Sequence, residues 1–219
     1  MRYGKAELDR IQHQLYTAVI ADILDEVGER DFCFSGELRP MGCSGKLAGY
    51  ARTLYVTDTF TLPEKPYQRD LRFIDSLREG DVPVTRVNGR NHNGYIGELL
   101  ATACMVRGAR GAVLDGHARD TALIDFARFP LFCLGTNPLD SKGRVEAIEA
   151  DGPVECGGVL VTPGDFIFGD TDGIVRVPAA LTEKVIALAM EKVQGENTVR
   201  SALLAGESVQ AVFDRYGIL

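Results

Sequence analysis

Several signals that would tie this 219-residue chain to a compartment or a chemistry are missing. No apolar run approaches the roughly 20 residues of a membrane span. No positively charged start leads into an apolar stretch, so the sequence reads as cytoplasmic. Basic residues are outnumbered, 24 Lys and Arg against 31 Asp and Glu, and the net charge of −7 argues against nonspecific nucleic-acid binding, which needs a basic face. Cysteine is odd in number and scattered. Cys33, Cys43, Cys104, Cys133 and Cys156 contain no CxxC pair, which argues against a zinc site or a disulfide framework. Cys104 and Cys133 fall in apolar stretches, where cysteine behaves as a small hydrophobe. No Ser/Gly-rich or Pro-rich tract, repeat or low-complexity run breaks the chain, which predicts a single α/β domain over residues 1–219.

What is present centres on residues 94–120, GYIGELLATACMVRGARGAVLDGHARD. Gly97 and Glu98 open a helix in which Leu99, Leu100, Ala103, Cys104 and Val106 follow helical spacing, and Gly108 ends it. Residues 111–114 are short and apolar and read as a strand, with 115–120 as the turn beyond it. Such a unit brings the helix start and the strand exit to one end of a sheet, where α/β folds tend to place their chemistry. Glu98 and the Arg119-Asp120 pair then face one pocket.

The residue types have a chemical use. A loop carboxylate at Asp120 can hold a hard divalent cation such as Mg²⁺, which takes one or two protein carboxylates and keeps several waters, one of them within reach of Glu98. Arg119 offers a planar, permanently charged fork for a carboxylate or keto oxygen. The free N–H groups of Leu99 and Leu100 at the helix start can receive the other end of the same anion. Together these describe a 2-oxo acid chelated on a metal. A structural account of the same residues also stands: Arg-Asp after a strand is common, and a Glu in a first helical turn complements the helix dipole.

The order Gly97-Glu98-Leu99-Leu100-Ala101-Thr102-Ala103, with twenty positions between the acidic Glu98 and Arg119-Asp120, resembles the RraA-like family. That family includes the class II pyruvate aldolases acting on 4-hydroxy-4-methyl-2-oxoglutarate and 4-carboxy-4-hydroxy-2-oxoadipate. The likeness covers most of the chain: residues 17–24 resemble the family's first helix, Arg39-Pro40 its next turn, and 161–165 with 169–175 its closing strands. The resemblance implies a ββα fold similar to the phosphohistidine swivelling domain, a mixed central sheet flanked by helices, and assembly as trimers or as hexamers built from trimers. It also implies a lyase in which Asp120 anchors Mg²⁺ or Mn²⁺, Arg119 stabilises an enolate, and Glu98 orients a metal-bound water and passes a proton. Cleavage of a 4-hydroxy-2-oxo acid and decarboxylation of oxaloacetate share that pyruvate enolate. Gly97, Leu99, Leu100 and Arg119 are the expected substrate contacts, with Asn91 and His92 from the polar loop 88–94 walling the site. In the aldolases of this family an acidic residue near Glu196 reaches the neighbouring subunit's site, although a helix-start Glu196 paired with Arg200 accounts for it equally well.

Along the rest of the chain, helices are expected within 5–27, with Thr17 capping the second and Gly28 ending it, and over 67–77 and 121–127. A long strand is expected over 45–60, with others over 82–87, 131–134, 145–149, 154–161 and 165–177. Residues 180–194 read as a helix, and 196–200 start a final amphipathic run. Asp165, Asp170 and Asp172 lack the EF-hand spacing and read as turn residues. No lysine lies in a recognisable apolar pocket, which disfavours a Schiff-base aldolase. The family's namesake binds and inhibits ribonuclease E, so a regulatory binding protein is the alternative. A methyltransferase label has been attached to such sequences, but no glycine-rich strand-to-helix loop followed by an acidic strand end supports it.

Overall fold

In a computed structural model, which describes residues 2–42, 45–89 and 93–217, two helices open the chain, α1 (Lys5–Gln14) and α2 (Thr17–Glu26). The apolar face of α2 buries Val19, Ile20, Ile23 and Leu24; each such side chain contributes roughly 1.5–3 kcal/mol relative to staying exposed. Its cap differs from the sequence expectation. Tyr16 is the N-cap and Thr17 the first helical residue, and the orphan donors are met by a residue 153 positions away: Asp170 accepts from the Thr17 N–H at 2.8 Å and the Thr17 hydroxyl at 2.7 Å. Past the helix, Gly28 takes φ 91°, the left-handed conformation that lets the Glu29 N–H return to the Leu24 carbonyl.

The strands follow: β1 (Arg39–Pro40), β2 (Leu47–Asp58), then helix α3 (Gln68–Asp75), β3 (Asp81–Asn88), β4 (Gly94–Ile96), helix α4 (Glu98–Val106), β5 (Ala112–Ala118) and β6 (Leu131–Thr136). After them come β7 (Val145–Ala150), β8 (Val154–Cys156), β9 (Val159–Val161), β10 (Phe166–Gly169), β11 (Ile174–Val177), α5 (Thr182–Leu204) and α6 (Val209–Tyr216). Among the described residues, nine strands form one mixed sheet in the order β1-β6-β5-β3-β2-β10-β11, with β4 on β5 and β7 on β2; β8 and β9 make a separate hairpin. The strands β2, β3, β5 and β6 run parallel, joined by crossovers through α3, through β4 and α4, and through residues 119–130.

Apolar layers lie on both sides. Phe73 and Leu77 from α3 and beyond, and Ala101 and Cys104 from α4, pack with Leu114 and Leu131. Leu8, Ile20, Leu24, Val185 and Ile186 pack with Phe166 and Phe168. The β8-β9 hairpin covers Phe132, Val113 and Ile167 through Val154, Cys156 and Val161. Burial raises the Cys104 thiol to about 12 and pushes the Cys156 thiol up as well, which fits their packing as small hydrophobes.

Several boundaries move from the sequence expectation. Residues 115–118 are strand rather than turn, because β5 finds partners on both sides, His117 pairing with Gly94 and Gly135 and Ala118 with Ile96 and Thr136. The helix expected over 121–127 shrinks to a 3₁₀ turn at Thr121–Leu123. Beyond it Asp125 accepts from the Ala127 and Phe129 N–H groups and turns the chain so that Ile124 and Phe129 enter the core. The stretches 154–161 and 165–177 are each a hairpin rather than one strand, folded at Gly157-Gly158 and at residues 170–173. The turn reading of the acidic residues holds: Asp165 accepts from Thr162 and Ala179 N–H groups, and Asp170 from Asp172. The two helical stretches expected over 180–194 and from 196 are one long helix, α5, preceded by a 3₁₀ turn at Ala179–Leu181, and α6 has no counterpart in the sequence reading.

Candidate active site

Both elements that the sequence points to end at the same place. β4 runs into α4 through Gly97, and β5 alongside it runs into Arg119 and Asp120; the Arg119 N–H donates to the Ile96 carbonyl at 2.8 Å. The first intrahelical bond of α4 goes from Ala101 N–H to Gly97 O at 3.0 Å, so the Leu99 and Leu100 N–H groups precede the ladder, and Gly97 supplies no side-chain cap. That end of the helix carries the positive pole of the macrodipole. Gly97 permits a close approach: a Cβ there would stand 2.7 Å from Asp120 Oδ2 and 3.2 Å from Arg119 Nε, and would push those side chains aside.

These residues line a cavity of about 210 Å³ with Tyr67, Leu71, Tyr95, Asp140 and Ser141. Arg119, Asp120, Gly97, Leu99 and Leu100 all reach it, as the sequence implies. Glu98 stands at the helix start, half-buried, and its Oε1 accepts from Thr102 Oγ1 at 2.9 Å. Asn91 and His92 lie outside the described residues. Glu196 is not among the lining residues of its own chain's pocket, and it sits inside α5 rather than at a helix start; Arg200 pairs with Asn197 instead.

Asp120 takes φ 53°, left-handed backbone that Asp tolerates better than most residues, and its carboxylate caps no backbone group. Its ion pair is with Arg119 Nε at 3.4 Å, while Arg119 Nη1 lies 3.3 Å from Asp140 Oδ1. Burial alone would raise the Asp140 carboxyl; the Tyr67 hydrogen bond, the Lys142 and Ser141 N–H groups and the Arg119 charge outweigh it and hold it below the usual range. Tyr67 is itself left-handed at φ 62°, and its hydroxyl reaches both Asp140 oxygens, at 3.0 and 3.2 Å. At the pocket floor the Tyr95 hydroxyl donates to buried Asp70; burial first, then the Asp70 charge, pushes that phenol well up. Tyr67, Tyr95, Asp70 and Asp140 are the residues the sequence reading missed. A Pro-Leu-Asp-Ser turn after a strand at 138–141 carries no periodic signal, and its partner Tyr67 is 73 positions away.

The donor set suits one kind of metal. Among the described residues no three His, Cys, Asp or Glu side chains converge on a point, which disfavours a zinc-type cage. A single exposed carboxylate with no backbone obligation, Asp120, beside a glycine that keeps the space open, could hold a Mg²⁺ or Mn²⁺ that retains most of its waters. Glu98 is not among the described residues lining the cavity, and Asp120 and Asp140 against Arg119 leave its lining one formal charge negative.

An α/β protein with a mixed sheet and an Arg-Asp pair facing a helix start across one pocket is the class that the structure defines. Comparison with known proteins gives the family. The RraA-like family profile, described as Aldolase/RraA, matches residues 17–176, and the chain belongs to that family. It is 29% identical over 211 residues to a Halalkalibacterium halodurans protein named "Putative 4-hydroxy-4-methyl-2-oxoglutarate aldolase", covering 95% of this chain and 94% of that one. Protein DlpA of Legionella pneumophila is 26% identical over 204 residues; the match covers 91% of this chain but only 32% of that much longer protein. Among solved structures, Streptomyces coelicolor RraAS2, described as an unusual member of the RNase ES inhibitor RraA protein family, superposes with a TM-score of 0.77 at 29% identity, covering 91% of this chain and 98% of that one. The mixed sheet flanked by helices is therefore the RraA fold. No described helix is long and apolar enough to cross a membrane.

Proposed function

We propose that the protein is a divalent-metal-dependent lyase that cleaves a C–C bond of a 4-hydroxy-2-oxo acid through a pyruvate enolate, and that decarboxylation of oxaloacetate is a second outcome of the same chemistry. The observation that carries the reading is the meeting of Arg119, Asp120 and the uncapped start of α4 in one cavity. The aldolase name of the Halalkalibacterium relative supports it. When bound at Asp120, the cation would supply Lewis-acid stabilisation of the developing negative charge, worth several kcal/mol.

The chain's own residues do the rest. Arg119 holds the keto acid and faces the oxygen on which charge develops, a role that a planar guanidinium fills with two parallel donors. The Leu99 and Leu100 N–H groups bind the far carboxylate oxygen at the positive end of α4. Glu98, at the first turn of α4, acts through water to take the proton from the 4-hydroxyl as the bond breaks and to return it to the methylene carbon. Tyr95, Leu71 and Leu99 form an apolar wall that limits water near the reacting carbon.

We further propose assembly as a trimer or hexamer. Leu71, Leu99, Leu123 and Leu139, all in or beside the pocket-forming segments, are 49%, 79%, 72% and 46% exposed in the single chain, which is the kind of apolar rim that a partner covers. The deciding assay follows pyruvate release from oxaloacetate and from 4-hydroxy-2-oxo acids with and without Mg²⁺. Metal-dependent turnover supports the lyase. Absence of turnover together with tight, saturable binding to a ribonuclease E-type enzyme favours the regulatory reading that the RraAS2 likeness suggests.

A further inference from the structure

Two ion pairs surround the Arg119 guanidinium, and neither is a close one. The 3.4 Å to Asp120 and 3.3 Å to Asp140 exceed the 2.7–2.9 Å of a good charge-assisted hydrogen bond, so the fork is held by charge while its N–H donors stay available to a ligand. A cation held at Asp120 would take that carboxylate's charge away from Arg119. Asp140 is then the carboxylate that remains against Arg119.

Its place is fixed independently of Arg119. Tyr67 hydrogen-bonds both of its oxygens, and its main-chain carbonyl accepts from Arg144 Nη1 at 2.8 Å. Gly94 bridges Asp140 in parallel, and the Gly94 N–H donates to the Leu139 carbonyl at 2.8 Å. Gly94 begins β4, and Ile96 at the end of the same three-residue strand accepts the Arg119 N–H. Arg119 and Asp140 are therefore both registered to β4. Tyr67 keeps a left-handed backbone at the entrance to α3 while its hydroxyl meets Asp140, and such strain persists where surrounding contacts over-determine it.

We propose that Asp140, oriented by Tyr67, is a positioning residue for the Arg119 fork, setting the direction from which it meets the keto oxygen; the inference rests on the lyase reading of this pocket. Asp140 acts through Arg119 and not on the substrate. Because its side chain is 41% exposed, it contributes little to the fold, and its removal moves Arg119 more than it moves the melting temperature.

The test is a double-mutant cycle. Asp140→Asn, Tyr67→Phe and Arg119→Lys are made singly, and Asp140→Asn is also made in the Arg119→Lys background, with lyase kinetics and Mg²⁺-dependent oxalate binding by calorimetry measured on each. Oxalate is the probe because it is a planar dianion with the shape of an enolate. Asp140→Asn is expected to lower kcat about tenfold with KM changed less than about threefold, the pattern of an interaction realised in the transition state. In the Arg119→Lys background the same change is expected to cost less than about twofold, because the two residues act as one unit. Tyr67→Phe should lose less, in the same direction. Equal loss from Asp140→Asn in both backgrounds, or wild-type rates in the single variant, overturns the inference. If the native protein has no lyase activity, the proposed function fails instead. The oxalate arm still decides the inference in that case: weaker binding in Asp140→Asn that disappears in the Arg119→Lys background supports it, and unchanged or additive binding overturns it.

Discussion

Asp120 combines a left-handed backbone with a carboxylate that serves no turn or cap, so its side chain is spent on nothing the fold needs. Asp120→Ala should therefore abolish Mg²⁺ or Mn²⁺ binding and lower turnover on the order of a thousandfold, since several kcal/mol of charge stabilisation are removed. Its melting temperature should fall only by the few degrees that alanine costs at this left-handed backbone. Full activity of the native protein in excess chelator, or normal calorimetric metal binding by the variant, would sink the assignment. Arg119 gives a second residue-scale outcome. Arg119→Lys keeps the charge beside Asp120 and Asp140 but loses the planar fork, and loss of a comparable donor costs ~3 kcal/mol, or about a hundredfold in kcat. Near-normal turnover in the lysine variant would make Arg119 a structural partner of its two carboxylates.

At the scale of elements, the two helices that matter most are capped by opposite means. α4 starts at a bare glycine with no side-chain cap, whereas α2 has its donors met by Asp170, a buried residue of the turn after β10 that also accepts from Asp172. Asp170→Ala leaves the Thr17 donors buried without a partner, and about 2–4 kcal/mol of stability should be lost. For a chain of this size that lowers the melting temperature by roughly 5–12 °C, readable by calorimetry, while the Arg119 pocket, which belongs to a separate cluster, should keep any turnover it has at 25 °C. A melting point within a degree of native would show that α2 is capped another way. The same contrast explains what could be read from the sequence. Helix α4, strand β2 and the convergence of Gly97 with Arg119-Asp120 follow from local periodicity and from βα geometry, so they were legible. Strand β4, the extension of β5 to Ala118, the Asp170 cap and the Tyr67-Asp140 contact depend on partners far apart in the chain, and no window of sequence carries them. The expected helix after Asp120 failed for a related reason: Ile124 and Phe129 are held by tertiary burial, which overrides a helical pattern in so short a segment.

Over the whole molecule, α5 packs with α1 and α2 over β10 and β11, whereas α3 and α4, which border the pocket, pack over β5 and β6 in a separate apolar cluster. Glu196, within α5, therefore does not serve its own chain's pocket, and any catalytic role for it runs through a neighbouring copy. The expectation is a trimer or hexamer of 23.8 kDa chains in sedimentation equilibrium. If Glu196 completes the adjoining site, Glu196→Ala alone should lose most of its turnover with an unchanged melting temperature, because α5 tolerates alanine at a half-buried position. Subunit exchange with Asp120→Ala then gives a quantitative check. Each variant is deficient alone, but a pocket from the Glu196→Ala chain beside a Glu196 from the Asp120→Ala chain contains both intact groups. In an equal mixture on a cyclic trimer, about a quarter of the interfaces have that pairing, so activity should recover towards a quarter of native. Recovery well above either parent supports a shared site. Exchange confirmed by mass spectrometry without recovery, or a fully active Glu196→Ala protein, would leave Glu196 as a surface residue of α5 and confine the chemistry to Glu98, Arg119 and Asp120 of one chain.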